Sequence, residues 1–164
     1  MSAPTDSHLE IAHVLFIDIV AYSKLASDDQ RAAIEELNQI VQSTDEFRKE
    51  ESENRLLKLA TGDGMALIFY HSPEDPVECA LEISRAIKEE HSNLRLRMGV
   101  HSGPVSGMVD VNGRANVAGA GINTAQRVMD CGDAVTSCSR SGSPKTSSNS
   151  NTGGRIFIIL ANAK

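Results

Sequence analysis

HVLFIDIVAYSKL, residues 13–25, is the stretch on which the reading of the fold turns. From His13 to Ile19 it is dense in bulky and β-branched apolar residues, and it is short enough to be a buried central strand. The strand carries one acid, Asp18, at its C-terminal end and hands the chain to a polar turn, Val20-Ala-Tyr-Ser23.

Downstream, Ser27-Asp-Asp-Gln30 has the form of a capping box, and Ile34, Leu37 and Val41 recur at helical spacing, which predicts one helix of about 20 residues. Leu56–Ala60 and Met65–Tyr70 are apolar runs joined by Thr61-Gly-Asp-Gly64, which predicts a hairpin with Asp63 at its tip. Ser72-Pro73-Glu-Asp75 supplies a cap, a proline and an acid for a second helix carrying Val77, Ala80, Leu81 and Ile87. Leu94, Leu96, Met98 and Val100 alternate with Arg95, Arg97, Gly99 and His101, as in a strand with one buried face. Val105–Val111 is expected to follow through Ser-Gly-Pro as its partner. Gly113–Gly121 reads as a small-residue loop, and Ile122–Cys131 as a third helix with Asn123 and Arg127 sharing one face. This order predicts an α+β fold, a ferredoxin-like βαββαβ core whose antiparallel sheet carries helices on one face.

The length, 164 residues, suits one domain with a real core, built on Val, Ile, Leu, Ala and Met because aromatics are 4% and Trp is absent. No apolar run approaches a membrane span and the N-terminus has no signal-peptide pattern, so the chain reads as cytoplasmic. Three cysteines without CxxC spacing indicate neither a disulfide framework nor a zinc site and read as small buried residues. A net charge of −6 argues against a nucleic-acid surface, so a polyanionic ligand would need metal ions beside it. Residues 135–164 hold Arg140, Lys145, Arg155 and Lys164 but no acid, so the excess negative charge lies in residues 1–134.

An acid closing a central strand and an acid on a hairpin tip converge if the strand pairs beside the hairpin. Two such carboxylates suit Mg²⁺, which takes oxygen ligands, keeps several waters and needs few protein groups besides substrate phosphates. Each acid alone is better explained as a turn or cap residue, and the hairpin signal by itself accounts for Asp63. The Val20, Ala21, Tyr22, Ser23 turn enters a helix, where free N–H groups favour phosphate. Asn123 and Arg127 pair an amide with a guanidinium, able to hold a ribose oxygen and a phosphate, or simply to line an exposed helix.

Four segments in order resemble the class III adenylate/guanylate cyclase catalytic domain: FIDIVAYSKL, KLATGDGMALIF, LRLRMGVHSGPV and NVAGAGINTAQRVMDCGDA. The resemblance covers roughly residues 11–134 and implies a nucleotidyl cyclase converting ATP or GTP to a 3′,5′-cyclic nucleotide and pyrophosphate. It implies two Mg²⁺ or Mn²⁺ ions per site on Asp18 and Asp63, with the backbone carbonyl of Ile19 as a further ligand. It gives Asn123 the ribose and Arg127 the transferring phosphate, and implies a head-to-tail homodimer with sites at the interface. Base selection falls on Leu59, with Lys58 beside it, and on Asn116, none of which follows the adenylate or guanylate pattern; Lys58 would serve if the strand slipped by one residue.

The resemblance ends after Gly132-Asp-Ala134. Family members continue into a strand, a helix and a hairpin with a phosphate-binding lysine, whereas VTSCSRSGSPKTSSNSNTGG is a Ser-rich, low-complexity stretch. Read one frame over, allowed codons for residues 135–149 give an apolar strand and an amphipathic helix. The expected division is therefore a cyclase domain over residues 1–134 and an atypical, out-of-frame tail over 135–164. Two alternatives stay open: a catalytically impaired, cyclase-like nucleotide-binding module, and a poorly folded product. Ile156–Ala161, IFIILA, could pair as a strand by composition.

Overall fold

The structure, a computed structural model, describes residues 9–90, 92–138 and 157–161. β1 (Leu9–Ile19) leads through a short 3-10 turn (Tyr22–Lys24) to α1 (Ser27–Ser43) and α2 (Asp45–Ser52). A hairpin of β2 (Leu56–Ala60) and β3 (Gly64–Phe69) follows, then α3 (Asp75–Glu89). β4 (Leu96–Val109), β5 (Ala115–Ala118), α4 (Ala120–Cys138) and β6 (Phe157–Ala161) complete it. The strands lie in the order β2-β3-β1-β4-β5, with antiparallel neighbours, and β6 pairs with β4. This is the expected α+β fold around a ferredoxin-like βαββαβ core.

β1 sits at the centre because both of its faces are apolar. Leu15, Ile17 and Ile19 face a core closed by Leu37, Ile40 and Val41 of α1, Phe47 of α2, and Cys79, Ile83 and Ile87 of α3. Ala12, Val14 and Phe16 point the opposite way, into a smaller core with Ala66, Ile68, Val105, Val117 and, from α4, Ala125 and Met129. Strand alternation thus divides one segment between two cores and puts Asp18 on the α4 side. The helices therefore cover both faces, not one as expected.

Several boundaries differ from the sequence reading for local reasons. The long first helix breaks at Thr44, whose backbone is extended (φ −70, ψ 142). Hydroxyls of Ser43 and Thr44 donate to the carbonyls of Ile40 and Val41 at 2.7 Å and satisfy the last turn of α1 there. Ser27 opens α1 without a side-chain cap, and Gln30 instead donates to the carbonyls of Tyr22 and Leu25. α3 starts at Asp75, so Pro76 rather than Pro73 occupies its first turn.

The expected turn at Ser102-Gly-Pro104 does not form. β1 runs back to Leu9, and its register with β4 from Leu9↔Ser106 to Ile19↔Leu96 keeps one strand straight through that sequence. Pro104 is tolerated because, among the described residues, the outer edge of β4 is unpaired there, between β6 against 96–100 and β5 against 106–109. The true partner, β5, lies inside what reads as a loop. α4 runs through the expected boundary at residue 134, and Phe157–Ala161 pairs as its composition suggested. Residues 139–156, on which the linker and shifted-frame readings mostly rest, lie outside the described residues. Cys79 is buried but Cys131 is exposed, against expectation. Among the described residues no helix is long and apolar enough to cross a membrane.

Candidate metal and nucleotide site

Asp18 stands opposite Gly64 of β3 on one side and Arg97 of β4 on the other. Gly64 is required there, because a Cβ would lie 1.9 Å from the carbonyl oxygen of Ile17. Gly62 supplies the positive φ, +93, that turns the hairpin. The N–H of Thr61 then donates to the carbonyl of Gly64 at 3.1 Å, and that of Ile19 to the carbonyl of Asp63 at 3.0 Å. The last bond ties the hairpin tip to the end of β1, and two carboxylates remote in sequence meet.

Asp18 is 3% exposed, whereas Asp63 is exposed. Arg97 Nη2 donates to Asp18 Oδ2, while Oδ1 is buried with no hydrogen-bond partner among the described residues. Burial pushes the Asp18 carboxyl up, Arg97 opposes that, and the neighbouring Asp63 adds to the rise. A buried carboxylate with an open oxygen, beside a second acid, is a donor set for a hard cation, so these residues fit the expected Mg²⁺ or Mn²⁺. Binding there would relieve the repulsion that burial concentrates.

A second group of ligand-type atoms, on Glu50, His71 and Asp75, lies within 4.8 Å of one another at the far end of β3. Its chemistry is that of a clamp. Arg55 donates to both Glu50 oxygens at 3.0 and 2.8 Å, and Asp75 Oδ2 accepts the N–H of Ser72 at 2.8 Å. It ties α2, β3 and the start of α3 together.

The turn after β1 is tightly set. Val20 donates its N–H to the carbonyl of Arg95 at 2.8 Å, which removes that group from the expected phosphate donors. Ala21 takes a left-handed conformation at φ 59, opening the 3-10 turn of Tyr22 and Ser23. Lys58 is engaged elsewhere: it pairs with Glu51 and lies 5.6 Å from the centroid of Phe47, on the α1–α2 face. The register Lys58↔Leu67 and Leu59↔Ala66 shows no slip, so Leu59 takes the Asp18 side of the sheet. Asn116, on β5, accepts the N–H of Val117 at 2.8 Å through Oδ1, and β5 approaches β2.

Asn123 and Arg127 are exposed on α4. α4 lies close on β4: a Cβ on Gly99 would meet the Met129 nitrogen at 2.6 Å, and one on Gly103 the Cα of Gly121 at 3.0 Å. The start of α4 is therefore over Gly103, about 20 Å along the strand from Arg97 at the strand rise. One chain brings Asp18, Ile19 and Asp63 together; α4 starts over Gly103 and runs toward Gly99, with Arg127 on the turn that lies over Gly99.

Arg97 is the residue that sequence reasoning passed over. Its signal was the alternation of β4, which placed it on a polar face; its partner depended on a register between strands 79 residues apart. His101, also on β4, has a buried Nδ1 with no hydrogen-bond partner among the described residues.

Comparison with known proteins gives a consistent picture. A family model described as the adenylate and guanylate cyclase catalytic domain matches residues 5–137. The guanylyl cyclase Cya2 superposes with a TM-score of 0.59 over 96% of this chain and 95% of its own, at 13% identity. The catalytic core of a rhodopsin-guanylyl cyclase with converted specificity, in complex with ATPalphaS, gives 0.56 over 76% and 75%, at 24% identity. An adenylate/guanylate cyclase/hydrolase from Silicibacter pomeroyi gives 0.53 over 74% and 70%, at 20% identity. No match was found among curated proteins. With its fold shared by these structures and most of its length matched by the family model, the chain belongs to the adenylate and guanylate cyclase catalytic domain family.

Proposed function

We propose that the protein converts ATP or GTP to a 3′,5′-cyclic nucleotide and pyrophosphate, with two Mg²⁺ or Mn²⁺ ions on Asp18, Asp63 and the Ile19 carbonyl. The observation that carries this reading is the buried Asp18 carboxylate, open at one oxygen and abutting Asp63, in a chain of the cyclase family. Bound there, the ions would acidify the ribose 3′-OH and neutralise the leaving pyrophosphate.

The chain's own groups orient the substrate around that chemistry. The bond between Ile19 and the Asp63 carbonyl holds the two acids at a fixed spacing. The Ala21, Tyr22, Ser23 turn offers backbone N–H groups to phosphate, without Val20. The Asn123 amide binds the ribose, and the Arg127 guanidinium donates to the phosphate as charge develops. Both are exposed on α4, open to a neighbouring copy, and they act from that second copy in a head-to-tail homodimer. At the base, the Leu59 side chain offers no hydrogen bond and Asn116 already accepts the N–H of Val117 through Oδ1, so discrimination between ATP and GTP is weak.

Turnover of ATP and of GTP with Mn²⁺ tests the proposal. Asp63→Asn is expected to lower it at least about 100-fold, the scale of losing one electrostatic contact in a transition state. Turnover indifferent to that substitution refutes the metal assignment.

A further inference from the structure

Asp18 and Arg97 sit directly opposite each other on neighbouring strands, on the side of the sheet that carries α4. The guanidinium, 22% exposed, donates to Oδ2 of a carboxylate that is 4% exposed. The other carboxylate oxygen is buried without a hydrogen-bond partner among the described residues, and the adjacent acid, Asp63, adds to the repulsion. Thus one oxygen of Asp18 is held by a permanent cation and the other is left open.

We propose that Arg97 is an internal counter-ion that competes with the divalent cation for Asp18 and so sets the cation affinity of the free protein. This rests on the reading of Asp18 and Asp63 as a cation site. Arginine stays charged at any working pH, so the competition cannot be titrated away. A divalent ion that engages Asp18 must share the carboxylate with the guanidinium, and repel it, or displace it along its flexible stem. Either route weakens binding relative to a site without the arginine. In exchange, the metal-free chain keeps a buried carboxylate that is half neutralised rather than bare.

Mn²⁺ titration of the full chain without nucleotide, following free Mn²⁺ by electron paramagnetic resonance, tests this with no reliance on activity. Arg97→Gln is expected to tighten Mn²⁺ binding about tenfold, the scale of one hydrogen bond to a charged group. Asp63→Asn should weaken binding in both backgrounds. Equal or weaker binding by Arg97→Gln, with Asp63→Asn still weakening it, overturns the counter-ion and spares the metal site. Saturable binding that is missing, or that ignores Asp63→Asn, overturns both.

Thermal melts separate competition from a merely structural role. Metal-free Arg97→Gln should melt below the wild type, and saturating Mn²⁺ should narrow that gap; a gap that metal leaves unchanged counts against the proposal. If Arg97→Gln does not fold, Arg97→Lys decides. Lysine keeps the charge but loses the planar fork, so binding a few-fold tighter than wild type is expected, and unchanged or weaker binding overturns the idea.

Discussion

Gly64 has no room for a methyl group, since its added Cβ would collide with backbone rather than with a movable side chain. Gly64→Ala should cost about 3 kcal/mol in a denaturation experiment and push the Asp63 tip away from β1. A distant residue, Glu50, governs acid stability. Burial alone would raise its pKa, but Arg55, with Lys49 and His71, outweighs burial and holds it below the ordinary 4.5. A depressed carboxyl stabilises the fold above its unfolded value and loses that contribution as pH falls through its folded value. Glu50→Gln should therefore melt lower than wild type at pH 7, with the gap closing below pH 4.5 in a series of melts. Asp18 and Asp63 were legible in the sequence because strand and hairpin signals are local. Arg97 was not, because its role depends on which strand lies beside it.

Elements fail or hold by their closest contacts, and α4 is the clearest case. A Cβ on Gly99 would lie 2.6 Å from the Met129 nitrogen and 2.9 Å from the Ala125 carbonyl oxygen, so Gly99→Ala must lift the helix. A loss of about 2 kcal/mol is expected from melts, together with a drop in turnover that Mn²⁺ does not restore, because the displaced group is the helix bearing Asn123 and Arg127. The elements themselves were largely readable: the order of strands and helices follows from periodicity and turn residues. The errors fall where long-range pairing overrode local signals. Ser102-Gly-Pro104 has the composition of a turn, yet eleven residues of β1 hold it extended. Thr44 interrupts a continuous helical pattern through hydroxyl bonds that propensity does not anticipate. β5 was hidden because four small residues carry little strand signal.

At the scale of the molecule, the sheet is a partition with helices on both sides, and the proposed chemistry draws its groups from two copies. Mixing Asp63→Ala with Arg127→Ala, each inactive alone, should restore about a quarter of wild-type turnover, because random pairing leaves one intact site in half of the head-to-tail dimers. No recovery, with mixed dimers demonstrated by differential tagging, rules out sharing of sites between copies. The tail bears on this scale too. We propose that residues 135–164 are a changed frame appended to a cyclase core; sequencing of the coding DNA decides, and a frame that matches the protein refutes it.

The contact between α4 and β4 is made by bare backbone at Gly99, Gly103 and Gly121. Where side chains set the spacing of two layers, any drift in core composition moves them; here the polypeptide itself is the spacer. The height at which α4 presents Asn123 and Arg127 is thus a fixed datum, indifferent to exchanges among the Val, Ile and Leu around it. Sequence change can run freely through both cores while the reach of those two side chains toward a neighbouring copy stays constant.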